Sequence, residues 1–445
     1  MKTIFTKALF NICFLLILVG FAQHARTSFA ASFELEGNYR VGGNLFTNLH
    51  LDGSKPAGLS DATTYLEHRL LLQPNVIIDD RFEIKSTWYL LHLNRYAGNS
   101  AFGSVFGSNN QGGAVTGTTS GTTIDGNIVS PLIDVRHVYA EWKSDYGILR
   151  AGRMPKAWGL GLQYDDGLGV LDEFGDVIDS VNFTAQVNNI ELRFAYEKEE
   201  EGHISQEHDD VQRMEGYVLF TNDEESLDIG LRYGRRVVGN VSQAKANGER
   251  SAHETSFYVR KEWDKSIELG LEADYISKDS GSDAFGVLGI ARYQTGNFHL
   301  GLDALYASDS FEANANYQPL LILFKQPLAT KQVLGNNGIR NGGPVGSEIL
   351  GANQGSGAIL GKFNVDYETS SENYRFGLDL GYAQFADKDQ NSSAVLGYEV
   401  DFRFVTKLYD NFKLGTTAGV FIPGEAFPND GELAWGLQVL GHVEF

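Results

Sequence analysis

From Ile190 to Tyr196 the chain alternates without a fault. Ile190, Leu192, Phe194 and Tyr196 are apolar or aromatic, and Glu191, Arg193 and Ala195 stand between them. A period of two marks a strand with one face for an apolar environment and one for a wetter one. The pattern recurs from Phe33 to Val41 and from Phe82 to Leu90. It closes the chain at Leu437–Phe445, where Leu437, Val439, Gly441 and Val443 alternate with Gln438, Leu440, His442 and Glu444. About 18 such segments follow one another, and no repeat of propeller type joins them. Short breaks such as Asp79-Asp80-Arg81, Asn188-Asn189, Asp264-Lys265 and Asp410-Asn411 alternate with long polar connections.

This grammar predicts an all-β fold: a transmembrane, antiparallel, up-and-down barrel of about 18 strands. Hydrophobic residues make up 42% of the chain, too few for a bundle of spanning helices. That content is enough if only alternate residues face lipid. An even strand number places both termini on the short-turn side, the periplasm, with long loops outside. Aromatic positions agree. Phe82, Ile190, Leu227, Ile267, Phe298, Tyr374 and Phe412 begin strands just past short turns. Tyr196, Tyr233, Tyr275, Tyr306 and Tyr382 follow six or eight residues later on the same face. At about 3.3 Å per residue this makes two girdles roughly 20–25 Å apart, suited to side chains with one apolar and one wet end.

The opening residues read differently. Lys2 and Lys7 precede an apolar run from Ala8 to Ala22, and Ser28-Phe29-Ala30 supplies small residues for cleavage. Residues 1–30 are therefore expected to be a cleaved signal peptide, with 31–445 forming the barrel. Cys13, the single cysteine, lies in the leader, so disulfide and thiol chemistry are not expected. The formal charge is −21 before the leader's basic residues are removed, which disfavours nucleic acid as a partner. His-Glu-x-x-His, Gly-x-Ser-x-Gly, a phosphate loop and paired cysteines are all missing, so neither an enzyme, a metal nor a cofactor is expected. His203 and Glu207 to Asp210 read as a solvated surface patch.

The final strand, ending in an aromatic, resembles the closing strand of bacterial outer-membrane barrels. In that family such a pattern is the signal for the barrel-assembly machinery, which implicates Leu437, Val439, Val443 and Phe445. A second resemblance lies in Arg136–Trp142, Leu149-Arg150 and Gly152–Gly161, with its Gly152-Arg153 and Trp158-Gly159 pairs. This stretch is similar to a segment of porins and alginate-export-type barrels, and the strand number suits the substrate-specific and alginate-export groups. The resemblance implies an outer-membrane channel for small hydrophilic solutes, with outer-membrane lipid and lipopolysaccharide as neighbours. A dedicated carbohydrate or organic-acid transporter and a structural barrel plugged by its loops are the alternatives. A homo-oligomer is left open.

The resemblance further implies an inward-folding loop after Trp158, bearing Asp165, Asp166, Asp172, Glu173, Asp176 and Asp179. These acids would face Arg150 and Arg153, both pointing inward if a bulge sits near Gly152. Strand parity puts Arg40, Arg69, Lys85, Arg193, Arg232 and Arg260 on the lumen wall, among many other charges, so a hydrated lumen is expected. The apolar run Pro319–Phe324, inside the long connection 307–356, has three readings: an extra hairpin, a lid or a subunit contact.

Overall fold

The computed structural model describes residues 31–48, 62–90, 105–106, 133–169, 176–200, 210–239, 251–308, 311, 320–322, 357–386, 395–425 and 432–445. The expected signal peptide, the His203–Asp209 patch and both Asp172 and Glu173 lie outside the described residues.

The strands are β1 (Ser32–Thr47), β2 (Ala62–Ile77), β3 (Phe82–Leu90), β4 (Val105–Phe106), β5 (Ile133–Ser144) and β6 (Gly147–Lys156). There follow β7 (Asp176–Val187), β8 (Ile190–Glu200), β9 (Val211–Asn222), β10 (Leu227–Val238), β11 (Ala252–Trp263) and β12 (Ile267–Lys278). The last are β13 (Ala284–Thr295), β14 (Phe298–Ala307), β15 (Ala358–Glu368), β16 (Tyr374–Phe385), β17 (Val395–Tyr409), β18 (Phe412–Pro423) and β19 (Ala434–Glu444). All lie in one antiparallel sheet in which β1 pairs with both β2 and β19. The ring is therefore closed. β4 is a two-residue addition beside β2, and β3 pairs directly with β5, so the barrel proper has 18 strands. Closure leaves no strand edge in lipid, where an unsatisfied peptide group is costly.

Outward faces follow the predicted alternation. Leu231 and Tyr233 of β10 are exposed, whereas Gly230, Arg232 and Gly234 are buried on the inner side. Neighbouring strands pair their girdle aromatics. Phe298 and Tyr367 have ring centroids 5.1 Å apart at the short-turn end, and Tyr382 and Tyr398 are 5.1 Å apart at the long-loop end.

Two strands depart from the reading. β2 runs on through Pro74, where alternation alone ends it near Leu72. The β2–β3 ladder pairs Leu72 with Trp88 and resumes at Val76 with Ile84. Pro74 has no N–H to give, and Ser86 fills the gap by donating its hydroxyl to the Pro74 carbonyl at 2.5 Å. The second departure concerns the bulge. The β5–β6 register runs unbroken past Gly152, while the β3–β5 register shifts between Thr87 and Trp88, opposite Arg136. Val135 and Val138 stay exposed, and Arg136 and His137 between them are covered.

Candidate functional site

Among the described residues, two inserted segments occupy the lumen. The first is the strap from Ala157 to Gly169, between β6 and β7. Trp158 donates its indole N–H to the Ser256 hydroxyl of β11 at 2.6 Å. The amides of Leu160 and Leu162 donate to the Glu272 carboxylate of β12, at 2.5 and 3.3 Å. At its other end the Gly167 and Gly169 carbonyls accept from the Tyr89 hydroxyl and from Arg69, each at 3.3 Å. β12 and β2 lie half-way round the ring from each other, so the strap crosses the lumen along a diameter. Gly159 makes the crossing, with φ of +60°, and a Cβ there would stand 2.6 Å from the Glu272 carboxylate.

Beneath the strap, charges and aromatics interlock. Lys156 pairs with Glu197 and Glu215, each at 2.7 Å. Arg232 pairs with Glu215 at 3.1 Å and donates to Gln163. Arg213 pairs with Glu254 at 2.8 Å. The Tyr164 ring lies among three of these cations: Lys156 Nζ at 4.2 Å, the Arg232 guanidinium at 4.6 Å and that of Arg213 at 5.3 Å. Its hydroxyl donates to Glu254 at 3.1 Å. Burial pushes the Tyr164 phenol well above its usual range, so it stays a donor at neutral pH. Each cation is charge-paired as well as stacked, as a group this deep must be.

The second segment is Leu320–Ile322, part of the apolar run in the long connection. Leu321 N–H donates to Asp401 at 2.9 Å and Ile322 N–H to Glu399 at 2.6 Å. Their side chains join Leu162 and Phe311 in an apolar cluster with the inward faces of β13 to β19, including Leu288, Leu305, Leu360, Phe385 and Phe421. Of the three readings of this run, the structure selects a lid-like insertion.

Wall glycines receive these side chains. A Cβ at Gly230 would meet the Trp158 ring at 2.8 Å, and one at Gly270 would meet Leu160 at 3.1 Å. Gly381 faces Leu320, and Gly419 and Gly436 both face Leu321. Each of these glycines has the inward parity of its strand, which is the signal a sequence reading could have used. The latching carboxylates Glu272, Glu399 and Asp401 were not singled out for this role, because strand parity reports only that a charge faces inward.

The sequence-predicted site separates into parts. Arg150 faces inward and pairs with Glu141 of β5 at 2.7 Å. Arg153 faces outward and forks onto Asp179 of β7 at 2.8 and 2.9 Å. This corrects the expectation of two inward arginines: without a bulge at Gly152, opposite parity keeps them on opposite faces. Asp165 and Asp166 accept from the amides of Gly167 and Leu168, at 2.8 and 3.0 Å, shaping the strap from within. Asp176 accepts from the Asp165 amide at 2.8 Å. Towards the long loops the inner face of β13 to β19 is apolar. Nearer the short turns charge returns as pairs, among them Arg292–Asp303 and Arg403–Asp379, at 2.5 and 2.6 Å.

Of the predicted wall cations, Arg40, Arg69, Lys85, Arg193, Arg232 and Arg260 all occupy inward positions. Arg193 stacks 5.7 Å from the Tyr217 ring, Arg260 pairs with Glu268 at 2.7 Å, and Lys85 pairs with Glu141 at 3.2 Å. Basic side chains also line up across neighbouring strands. Lys413 lies opposite His442, His442 opposite Arg40, and Arg40 opposite Arg69, across four adjacent strands. Arg69 and Arg136 then stand 5.9 Å from the Tyr89 ring, which carries the row to the end of the strap.

No protein-family model matches the chain, and no curated protein matches its sequence. Solved structures do match in three dimensions. The outer membrane protein OpdK from Pseudomonas aeruginosa aligns with a TM-score of 0.54 at 9% identity, covering 93% of this chain and 98% of that one. OccK5 (OpdH) from Pseudomonas aeruginosa gives 0.52 at 10% identity with the same coverage. A structure of OpdK with vanillate gives 0.51 at 10%, again over 93% and 98% of the two chains. The closed barrel of this chain thus shares its overall fold with the outer membrane protein OpdK from Pseudomonas aeruginosa.

Proposed function

We propose that the protein is a passive channel of the bacterial outer membrane that admits small hydrophilic solutes. The signal peptide 1–30 would be removed on export. Both termini would face the periplasm, and the Leu437–Phe445 strand would be read by the barrel-assembly machinery. The reading rests on the row Lys413–His442–Arg40–Arg69, a run of basic side chains on the inner wall at the strap's end. An 18-stranded barrel is too wide for wall side chains alone to fill. The strap and the Leu320–Ile322 lid narrow it instead, and a narrow path beside a basic wall selects by charge.

The row also favours the dedicated-transporter reading for small organic acids over that for neutral sugars. The acids of the connection after Trp158, Asp165, Asp166, Asp172 and Glu173, with Asp176 at its end, would add a negative counterpart to Arg150 on the same path. Recording from purified protein in a planar bilayer tests both readings. Ohmic conductance with anion preference is expected, with open-channel block by an aromatic carboxylate such as vanillate. Replacing Arg40 and Lys413 by Gln should move the reversal potential in a salt gradient toward cations. Silent membranes at high protein load would replace the channel reading by the plugged, structural one. Conductance without block would leave the channel and remove the dedicated solute.

A further inference from the structure

The outward face carries charge on only part of its circumference. At the height of the long-loop girdle, six to eight residues above the short turns, β6 and β8 present Arg153 and Lys198, and β10 presents Arg235 beside Tyr233. Arg153 forks onto Asp179 with both side chains about half exposed, at 55% and 51%. Arg235 forks onto Asp279 at 3.0 and 2.9 Å. At the same height β14, β16 and β17 present Tyr306, Tyr382 and Tyr398, with no charge among the described residues. Among the described residues the charged arc runs from β6 to the end of β12 and has no counterpart from β14 to β17.

An outward ion pair is unfavourable in hydrocarbon, so it marks the depth at which headgroups begin. A guanidinium fork there suits phosphate oxygens better than any other headgroup chemistry. The neighbouring carboxylates suit divalent cations, which prefer oxygen ligands. Together they match a surface of phosphates bridged by divalent cations. The arc spans seven neighbouring strands, and Leu231 and Phe194 below it are exposed in lipid-facing positions.

Resting on the outer-membrane placement proposed above, we propose that this arc, centred on Arg153 and Arg235, binds the phosphorylated headgroups of an outer-leaflet glycolipid, with divalent cations held between phosphate and Asp179 or Asp279. It assigns the outer-leaflet lipid contact to one side of the barrel.

The test uses purified barrel in detergent with lipopolysaccharide and Mg2+, read by native mass spectrometry as lipid copies retained. Arg153→Ala with Arg235→Ala should reduce retention at least five-fold, and EDTA should do the same to the unaltered protein. Tyr382→Phe with Tyr398→Phe, on the uncharged side, should leave retention unchanged. Should the alanine variant fail to fold, the swap Arg153→Asp with Asp179→Arg keeps the pair and its charge balance, and retention within two-fold of the unaltered protein is expected. Unchanged retention in the folded alanine variant overturns the proposal. So does equal displacement by millimolar inorganic phosphate, which would make the arc a free-phosphate site. Loss of a dimer in place of loss of lipid would assign the arc to a second copy. Channel conductance is a separate measurement, so failure here leaves the proposed function standing.

Discussion

Single residues fix the strap where the sequence looks most ordinary. Gly159 combines φ of +60° with an approach to Glu272 that leaves no room for a side chain. Gly159→Ala is expected to cost about 1–3 kcal/mol locally, read as a lower melting temperature and noisier single-channel current. Trp158→Phe keeps the ring between Tyr217 and Tyr258, 5.2 and 6.4 Å away, but removes the hydrogen bond to Ser256. A loss of about 1 kcal/mol is expected by denaturant titration. Tyr164 sets the pH dependence. Its phenol is raised in the closed state and near its ordinary value of about 10 when the strap is released. The closed state therefore holds its proton more tightly. The stabilisation is complete below about pH 10 and is lost as pH rises through the elevated value. Conductance should rise in strong alkali, and Tyr164→Phe should remove that rise.

At the level of elements, both inserted segments are held in one way. Two neighbouring backbone amides, or two amides one residue apart, donate to inward carboxylates of a wall strand: Glu272 for the strap, Glu399 and Asp401 for the lid. A hydrogen bond to a charged acceptor contributes about 1.5–3 kcal/mol, so two of them matter to how Leu320–Ile322 is held. Glu399→Gln with Asp401→Asn should release Leu320–Ile322 and raise unitary conductance about two-fold or more, with the barrel still folded by circular dichroism. Unaltered conductance would mean that packing against Gly381, Gly419 and Gly436 holds the lid without the latch. Pairing by the same alternation made nearly every strand legible from the sequence, because a one-residue slip would turn its whole apolar set inward. The strap's direction was legible only through resemblance, and its anchors were not, since they lie about a hundred residues away on β11 and β12.

Over the whole molecule, closure depends on the seam between β1 and the chain's end. Gly37 and Phe445 exchange two backbone hydrogen bonds, at 2.9 and 3.0 Å. The Phe445 ring lies over Gly37, where a Cβ would meet it at 2.8 Å. Above this notch β19 pairs with β1 from Asn38 to Thr47. Deleting Phe445 should lower the yield of heat-modifiable, folded barrel several-fold in vivo while leaving the conductance of the folded fraction unchanged. Gly37→Val should reproduce the assembly defect. Normal assembly of the truncated chain would show that the terminal aromatic is not the signal its resemblance implies.

The sequence by itself determined the barrel. Period-two strands, alternating connections and an even count leave lipid-facing and lumen-facing sets that only a closed sheet satisfies, because every peptide group in hydrocarbon needs a partner. The tertiary structure alone decided what occupies the lumen. Parity reports which way Glu272, Asp401 or Gly381 points. It does not report that a segment from a distant loop lies over each, since that depends on which strands face each other across the ring. It separated Arg150 from Arg153 for a related reason: a bulge belongs to a pair of strands, and this one formed at Arg136, where β5 meets β3.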